Sequence, residues 1–440
     1  MSVITPEQRE RLLAAYDDFT QKATVQEKDE LDALLREVAV NYSAAPRVAA
    51  PAGLTELAAQ ATETAASMEV PPELELAADC PEVMYLWEAL ERDPSPEMAE
   101  FLRRFETTAE DRPEVLPTTR DGAFLGRGRY QVLDRRWAEA GIDWLQNVFN
   151  RVGFRRDPRV VRMPDPARLV LVGDWGTGEF RDDTPSLRVA SQIRALEPDY
   201  TIHLGDVYYA GRRSEVRDHF LAHWPAGRRG SFALNANHEM YTGGFGYFED
   251  LLGDPRFEAQ NGTSYFALEN DHWVIVGLDS AYHANRLKLY RIGKLDDDQI
   301  EFLGQMADRS AGKRLVVLSH HQGRNFDGSP CEPLWSQVRE GLGGRPALWF
   351  WGHLHAGAVF APLDGIEGRC CGYGGIPRGR SEALEESDQV QFFESRLAAD
   401  PELPQRVVNG FATLRLDGPT LEEQMIDELG RELQSPPPIG

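Results

Sequence analysis

From Pro166 onward the chain alternates short, unbroken apolar runs with amphipathic ones: "RLVLVGD", then "PSLRVASQIRALE", then "DYTIHLGD". An apolar run of β-formers without polar alternation reads as a strand covered on both faces. Strand, helix and strand within roughly thirty residues make a βαβ unit, which forces the two strands parallel. The texture continues through "RGSFALNANHE", "SYFALEND" and "HWVIVGLDS", then the helical "DDDQIEFLGQMADR". It ends with "RLVVLSHH", a helix near 333–340, "PALWFWGHLH", "AVFAPLDG", "GRCCGYGG" and "VVNGFATLRLDG". The fold class this predicts is α/β of the α+β sandwich type, with mixed β-sheets flanked by helices. In such folds ligands bind where the strands end.

The preceding part has a different pattern. Thr5-Pro6 reads as an N-cap with proline in the first turn, followed by Leu12, Leu13, Tyr16 and Phe19 at helical spacing. A second helix comes next in "VQEKDELDALLREVAVNY", and an Ala/Pro-rich linker over 43–53. Further helices are predicted over 82–91, 96–105 and 134–149, the last with Trp137, Ile142, Trp144, Leu145 and Phe149 on one face. The expected organisation is a helical N-terminal domain over 1–165, a main domain over 166–425 and a tail over 426–440.

The 440 residues carry a formal charge of −24. That field opposes long nucleic acid and anionic membrane as partners, while a local positive site can still receive a small anion. No apolar run approaches the ~20 residues that span a bilayer. The first residues lack a basic region followed by an apolar one, and the four cysteines show no CxxC spacing, so a cytoplasmic location is expected.

The strand ends carry the chemistry. They are Asp174, Asp206 with Tyr209 just beyond, Asn237-His238-Glu239, His320-His321, and His353 with His355. Singly, each has an ordinary structural explanation; together they place oxygen and imidazole donors at one edge of a sheet. A set without thiolate suits iron, manganese or zinc. About seven donors exceed one tetrahedral ion and suit two ions ~3.5–4 Å apart, the arrangement used for phosphoryl hydrolysis.

The ordered set GD, GDxxY, NHE, VxxH and GHxH resembles the calcineurin-like metallophosphoesterase superfamily, and within it the purple acid phosphatases, over Arg168–His355. The superfamily's D-x-H histidine is replaced here by Gly176. The resemblance implies that a tyrosine three residues after the second aspartate, Tyr209, takes its place. It assigns one ion to Asp174, Asp206, Tyr209 and His355, and the other to Asp206, Asn237, His320 and His353, with Asp206 bridging. It implies Fe(III) at the tyrosinate site and Fe(II), Mn(II) or Zn(II) at the second. His238 would hold phosphoryl oxygens or protonate the leaving group. His321 is a second catalytic candidate, and Asn237, Tyr241 and Arg378 are candidate substrate contacts. The implied activity is hydrolysis of a phosphomonoester by in-line attack of a metal-bridging hydroxide. A phosphodiesterase and a catalytically silent, metal-bound interaction module are the alternatives. The partner of the N-terminal domain is undetermined.

Other signatures fail. "NHEMYT" has Thr242 where a zinc protease needs its second histidine, and no P-loop, dinucleotide fingerprint or GxSxG elbow occurs. Arg212, Arg213, Arg228, Arg229, Arg378 and Arg380 are candidates for a cationic rim. "NHEMYTGGFGYF", which includes Tyr247, and "SAYHANRL" are candidate substrate loops.

Overall fold

The computed structural model describes residues 4–43, 80–90, 116–181 and 184–433. The linker expected over 43–53 (beyond Ser43), the helix expected over 96–105 and the last residues of the expected tail lie outside the described residues. The chain forms two compact units. One comprises Met1–Gln146, Pro377–Glu382 and Ser395–Val407; the other comprises Asn147–Ile376, Ala383–Glu394 and Val408–Gly440.

The first unit holds α1 (Pro6–Lys22), α2 (Val25–Ser43), α3 (Pro81–Leu90) and α4 (Arg136–Asn147). α1 opens with a capping box: Thr5 Oγ1 accepts from the Gln8 N–H and Gln8 Oε1 accepts from the Thr5 N–H, each at 3.1 Å. Its apolar spacing buries Leu12, Ala15 and Phe19. α4 buries Trp137, Ile142, Trp144 and Leu145; Phe149 lies past its end and is partly exposed.

The second unit contains thirteen strands among the described residues: β1 (Val160–Arg162), β2 (Ala167–Val172), β3 (Tyr200–His203), β4 (Gly230–Ala233), β5 (Phe266–Glu269), β6 (Trp273–Gly277), β7 (Arg314–Ser319), β8 (Ala347–Trp351), β9 (Gly357–Phe360), β10 (Ile366–Cys371), β11 (Val390–Phe393), β12 (Gly410–Asp417) and β13 (Thr420–Asp427). They form an eight-stranded sheet, β1-β5-β6-β7-β8-β10-β9-β11, and a five-stranded one, β13-β12-β2-β3-β4. Strands β2, β3 and β4 pair in parallel, as do β6, β7 and β8, while β12 runs antiparallel to β2.

Alternation along the strands builds two cores. Leu169, Leu171, Ile202 and Phe232 of the smaller sheet pack with Phe266, Ile275, Val316, Leu318 and Phe350 of the larger. The opposite face of the larger sheet, with Val274, Val276, Leu315, Val317 and Trp349, is covered by Phe302, Leu303 and Met306 of a helix over Asp297–Arg309 and by Trp335 and Val338 of one over Leu334–Leu342. Both faces are therefore apolar, as the unbroken runs require. The expected tail begins inside β13, and Leu433 beyond it is buried and donates its N–H to Met425 O.

Candidate metal centre

The two sheets meet at the carboxyl ends of β2, β3 and β4 on one side and β7 and β8 on the other. Hydrogen bonds tie those ends together: Gly173 N–H donates to Cys371 O and Gly352 N–H to His320 O, both at 2.9 Å. Asp174, Asp206, Asn237, His238, His320, His353 and His355 are all brought to this seam.

Asp174 and Asp206 sit at positive φ, +55° and +76°, and so do His353 and His355, +67° and +49°. Non-glycine residues rarely hold that conformation, and strain of this kind clusters at functional sites. Glycine backbones crowd Asp174: a Cβ at Gly352 or Gly372 would lie 2.7 or 2.8 Å from its Oδ2.

At one end of the cluster, Tyr208 Oη lies 2.9 Å from Asp174 Oδ1, 2.9 Å from Asp206 Oδ2 and 2.8 Å from His355 Nε2. His355 Nε2 is also 3.1 Å from Asp174 Oδ1. With both carboxylates ionised, four close contacts share at most two protons, one from the phenol and one from the imidazole. A cation among these atoms answers that deficit.

The other end repeats the deficit with different atoms. The Leu204 carbonyl can only accept, so His320 Nδ1–H donates to it at 2.9 Å. Burial, reinforced by His321 and His353, holds this imidazole well below its ordinary pKa, so it is neutral and Nε2 presents a lone pair. That lone pair faces Asn237 Oδ1 at 2.9 Å, His353 Nδ1 at 3.2 Å and Asp206 Oδ1 at 3.4 Å. A carbonyl bond on the remote nitrogen is how metal-binding histidines are oriented. Donor atoms of Asp174, Asp206 and His320 lie within 4.8 Å of one another, as do those of His320, His321 and His353. The donor set fits two cations, with Asp206 common to both ends.

The phenol in this set belongs to Tyr208, not to Tyr209. Tyr209 serves through its backbone: its N–H donates to Glu215 Oε1 at 2.7 Å and its carbonyl accepts from His238 Nδ1 at 2.6 Å. The Tyr208 ring stands 4.6 Å from His238 and 6.0 Å from His355. Three residues beyond Asp206 the chain thus brings a backbone group to this network, and two residues beyond it a hydroxyl.

His321 also differs from expectation. β7 sends Val316 and Leu318 toward the inter-sheet face and Leu315 and Val317 toward the helical face, and His320 and His321 follow its last residue, Ser319. His321 Nε2 donates to Tyr290 O at 2.7 Å and Nδ1 accepts from the Ser280 hydroxyl at 2.8 Å. Both nitrogens are engaged, and the buried ring buttresses His320 and His353, 5.0 and 4.8 Å away. Its two nitrogens face Tyr290 and Ser280.

Arg378 lies in the other compact unit, with its guanidinium 3.1 Å from Asp121. The wider rim is likewise committed: Arg212 pairs with Glu215, Arg213 with Glu249 and Asp250, and Arg228 and Arg229 with Asp199. Tyr247 is buried and donates to Ala233 O. Tyr241 adjoins the site: its ring is 4.8 Å from His238 and its hydroxyl 3.4 Å from Asn237 Nδ2.

Gly176 explains the missing histidine. A Cβ there would lie 2.7 Å from Val207 Cα and 2.8 Å from Asp206 O, so this backbone admits no side chain. Ala236 sits at φ −139°, an extended conformation that alanine accepts readily.

Residues 167–357 match the family model of the calcineurin-like phosphoesterases. Among solved structures, the chain is similar to the GAP50 anchor of the inner membrane complex of Plasmodium, at 12% identity and a TM-score of 0.43, over 62% of this chain and 88% of that one. It is similar to a dimetal phosphatase from Danio rerio at 14% identity and 0.42, over 61% and 98%. It is similar to PhoD at 10% and 0.39, over 64% and 73%. None of these is close enough to carry an activity across. No curated protein matches the chain.

Proposed function

We propose that the protein is a metal-dependent phosphoric ester hydrolase of purple acid phosphatase type, acting on small phosphomonoesters. The observation that supports this best is the proton deficit at the strand ends, where seven side chains from two sheets aim more lone pairs at one another than they have protons to share. Two ions held there would supply Lewis-acid charge for the phosphoryl oxygens and acidify a water nucleophile.

The chain's own residues set the rest. Asp174, Asp206, Tyr208 and His355 would hold one ion; Asp206, Asn237, His320 and His353 the other. Burial and the two carboxylates push the Tyr208 phenol well above its ordinary pKa, so only a strongly charged cation takes its proton. That argues for Fe(III) at this end and a divalent Fe, Mn or Zn at the other. His238 gives its Nδ1–H to Tyr209 O, which turns Nε2 toward the site, 3.7 Å from Asp206 Oδ2. Burial holds the ring down to about 3, so Nε2 is a lone pair until a phosphoryl dianion arrives as counter-charge; with that partner it would take a proton from solvent and pass it to the leaving oxygen.

Among the described residues no helix is long and apolar enough to cross a membrane. The four cysteines are buried and none is joined in a disulfide, which supports our placing the protein in the cytoplasm. The test is initial rates on an aryl phosphate monoester and the matching bis-aryl diester, after reconstitution with iron and with manganese. Monoester turnover above diester is expected. Diester preference would reassign the substrate, and no turnover with two ions bound would make the centre a stiffener of an interaction module.

A further inference from the structure

Glu215 is a buried carboxylate whose bonds reach beyond its own helical turn. It sits in a helical segment, Arg213–Glu215 followed by Val216–Leu221, that begins just after the Tyr208–Tyr209 pair. Within its own turn Glu215 Oε2 accepts from the Arg212 N–H at 3.0 Å and Oε1 pairs with the Arg212 guanidinium at 3.2 Å, as a helix cap would. Capping leaves two bonds unexplained. Oε1 also accepts from the Tyr209 N–H at 2.7 Å, and Oε2 from the Ala210 N–H at 3.0 Å. A carboxylate kept from water is stable only where its lone pairs are met, and a charged acceptor makes the stronger bonds. An amide of the same shape would turn its nitrogen toward at least one of these donors.

The same segment grips the other side of the Tyr208–Tyr209 peptide. The Tyr208 carbonyl can only accept, so the half-buried His219 donates Nδ1–H to it at 2.7 Å. Tyr208 N–H donates to Gly176 O at 2.9 Å, and a Cβ at Gly178 would lie 2.8 Å from His219 Cα, so the segment lies directly on the 176–178 turn. The opposite wall is as tight: a Cβ at Gly211 would lie 2.5 Å from Glu239 Cα, and Thr242 Oγ1 is 3.1 Å from Ala210 O.

What is held in this way joins two working parts of the site. Tyr208 Oη reaches Asp174 and Asp206, while the Tyr209 carbonyl takes the His238 Nδ1–H at 2.6 Å. The phenol and the imidazole thus hang from neighbouring residues, and Glu215 holds the N–H between them.

We propose that Glu215 is a positioning residue: by gripping the Tyr209 N–H, with His219 on the Tyr208 carbonyl, it sets the phenol on its ion and His238 on the substrate together. This rests on the phosphoesterase reading and adds to it how the metal-binding and proton-donating groups are kept in register. Such placement matters because a shift of about 1 Å at a reacting group costs on the order of a hundredfold in rate.

The test is made on the full chain loaded with iron, comparing wild type with Glu215→Gln, His219→Ala and His219→Asn, whose amide nitrogen stands near the place of Nδ1. Visible absorption reports the phenol, and kcat and KM on an aryl phosphate monoester report His238. Glu215→Gln is expected to shift the visible maximum and to lower kcat roughly ten- to a hundredfold, with KM nearly unchanged and iron retained. His219→Ala should move both readouts in the same direction, less strongly, and His219→Asn should restore most of each. The half-buried His219 pair reads the clamp independently of the buried carboxylate. A lower melting temperature in Glu215→Gln or His219→Ala, with the absorption maximum and kcat of wild type, would overturn the proposal, as would an iron-loaded wild type without visible absorption. If the variants shift the absorption while wild type turns over no ester, this inference stands and the catalytic reading falls.

Discussion

The two ends of the metal centre share Asp206 and little else. One end is anionic and rich in oxygen: Asp174, Asp206 and Tyr208, with a single imidazole, His355. The other is close to neutral apart from the shared carboxylate: the Asn237 amide and two imidazoles, His320 and His353. On our reading the oxygen-rich end would hold the harder, more highly charged ion and the imidazole end a divalent one. The difference teaches that the two sheets contribute unequally. The smaller sheet supplies the oxygen donors from β2, β3 and β4, and the larger supplies the imidazoles from β7 and β8.

The largest effect is expected where the ends join. Asp206→Asn removes charge from both ions, and losing several kcal/mol of charge stabilisation should slow turnover roughly a thousandfold or more, with less than two equivalents of metal retained. Full metal content and rate would break the bridge. Next is the phenol. In the iron-loaded protein, Tyr208→Phe should abolish visible absorption and loosen the first ion selectively, whereas Tyr209→Phe, whose parent acts through its backbone, should keep the colour. The reverse outcome would return the tyrosinate role to Tyr209.

Gly176→His separates a missing ligand from a missing space. Backbone of Val207 and Asp206 blocks even a Cβ, so the variant should melt several degrees lower and gain no metal affinity, overpacking costing about 1–3 kcal/mol. A variant that is stable and binds more tightly would show the seam to be adaptable. Ser280→Ala is the mildest change. It removes the hydroxyl held by His321 Nδ1, and a loss of about 1 kcal/mol in stability with a small fall in affinity at the imidazole end is expected. An effect confined to the oxygen-rich end would contradict the buttressing role.

Much of this was legible from residues alone. Strands covered on both faces announce themselves as unbroken apolar runs. The side chains just past each run are delivered to the same edge, so Asp174, Asp206, Asn237, His320, His353 and His355 could be grouped together. Tyr208 was not legible, because both tyrosines come within a turn of Asp206 and the backbone beyond a strand keeps no fixed period. Arg378 lies close behind the strand-end residues in sequence, and 377–382 belongs to the other unit. Strands β1, β11 and β13 were missed; two are three or four residues long, and β13 carries charged residues along much of its length. The order of strands in the sheets, fixed by packing across the seam, has no local signature.

The most direct measurement is an anomalous difference map from crystals of the iron- and manganese-loaded protein, recorded at both absorption edges. Two peaks about 3.5–4 Å apart are expected to flank Asp206, iron beside Tyr208 and manganese beside His320. A single peak, or a pair that leaves Tyr208 or Asn237 uncoordinated, would contradict the two-ion centre.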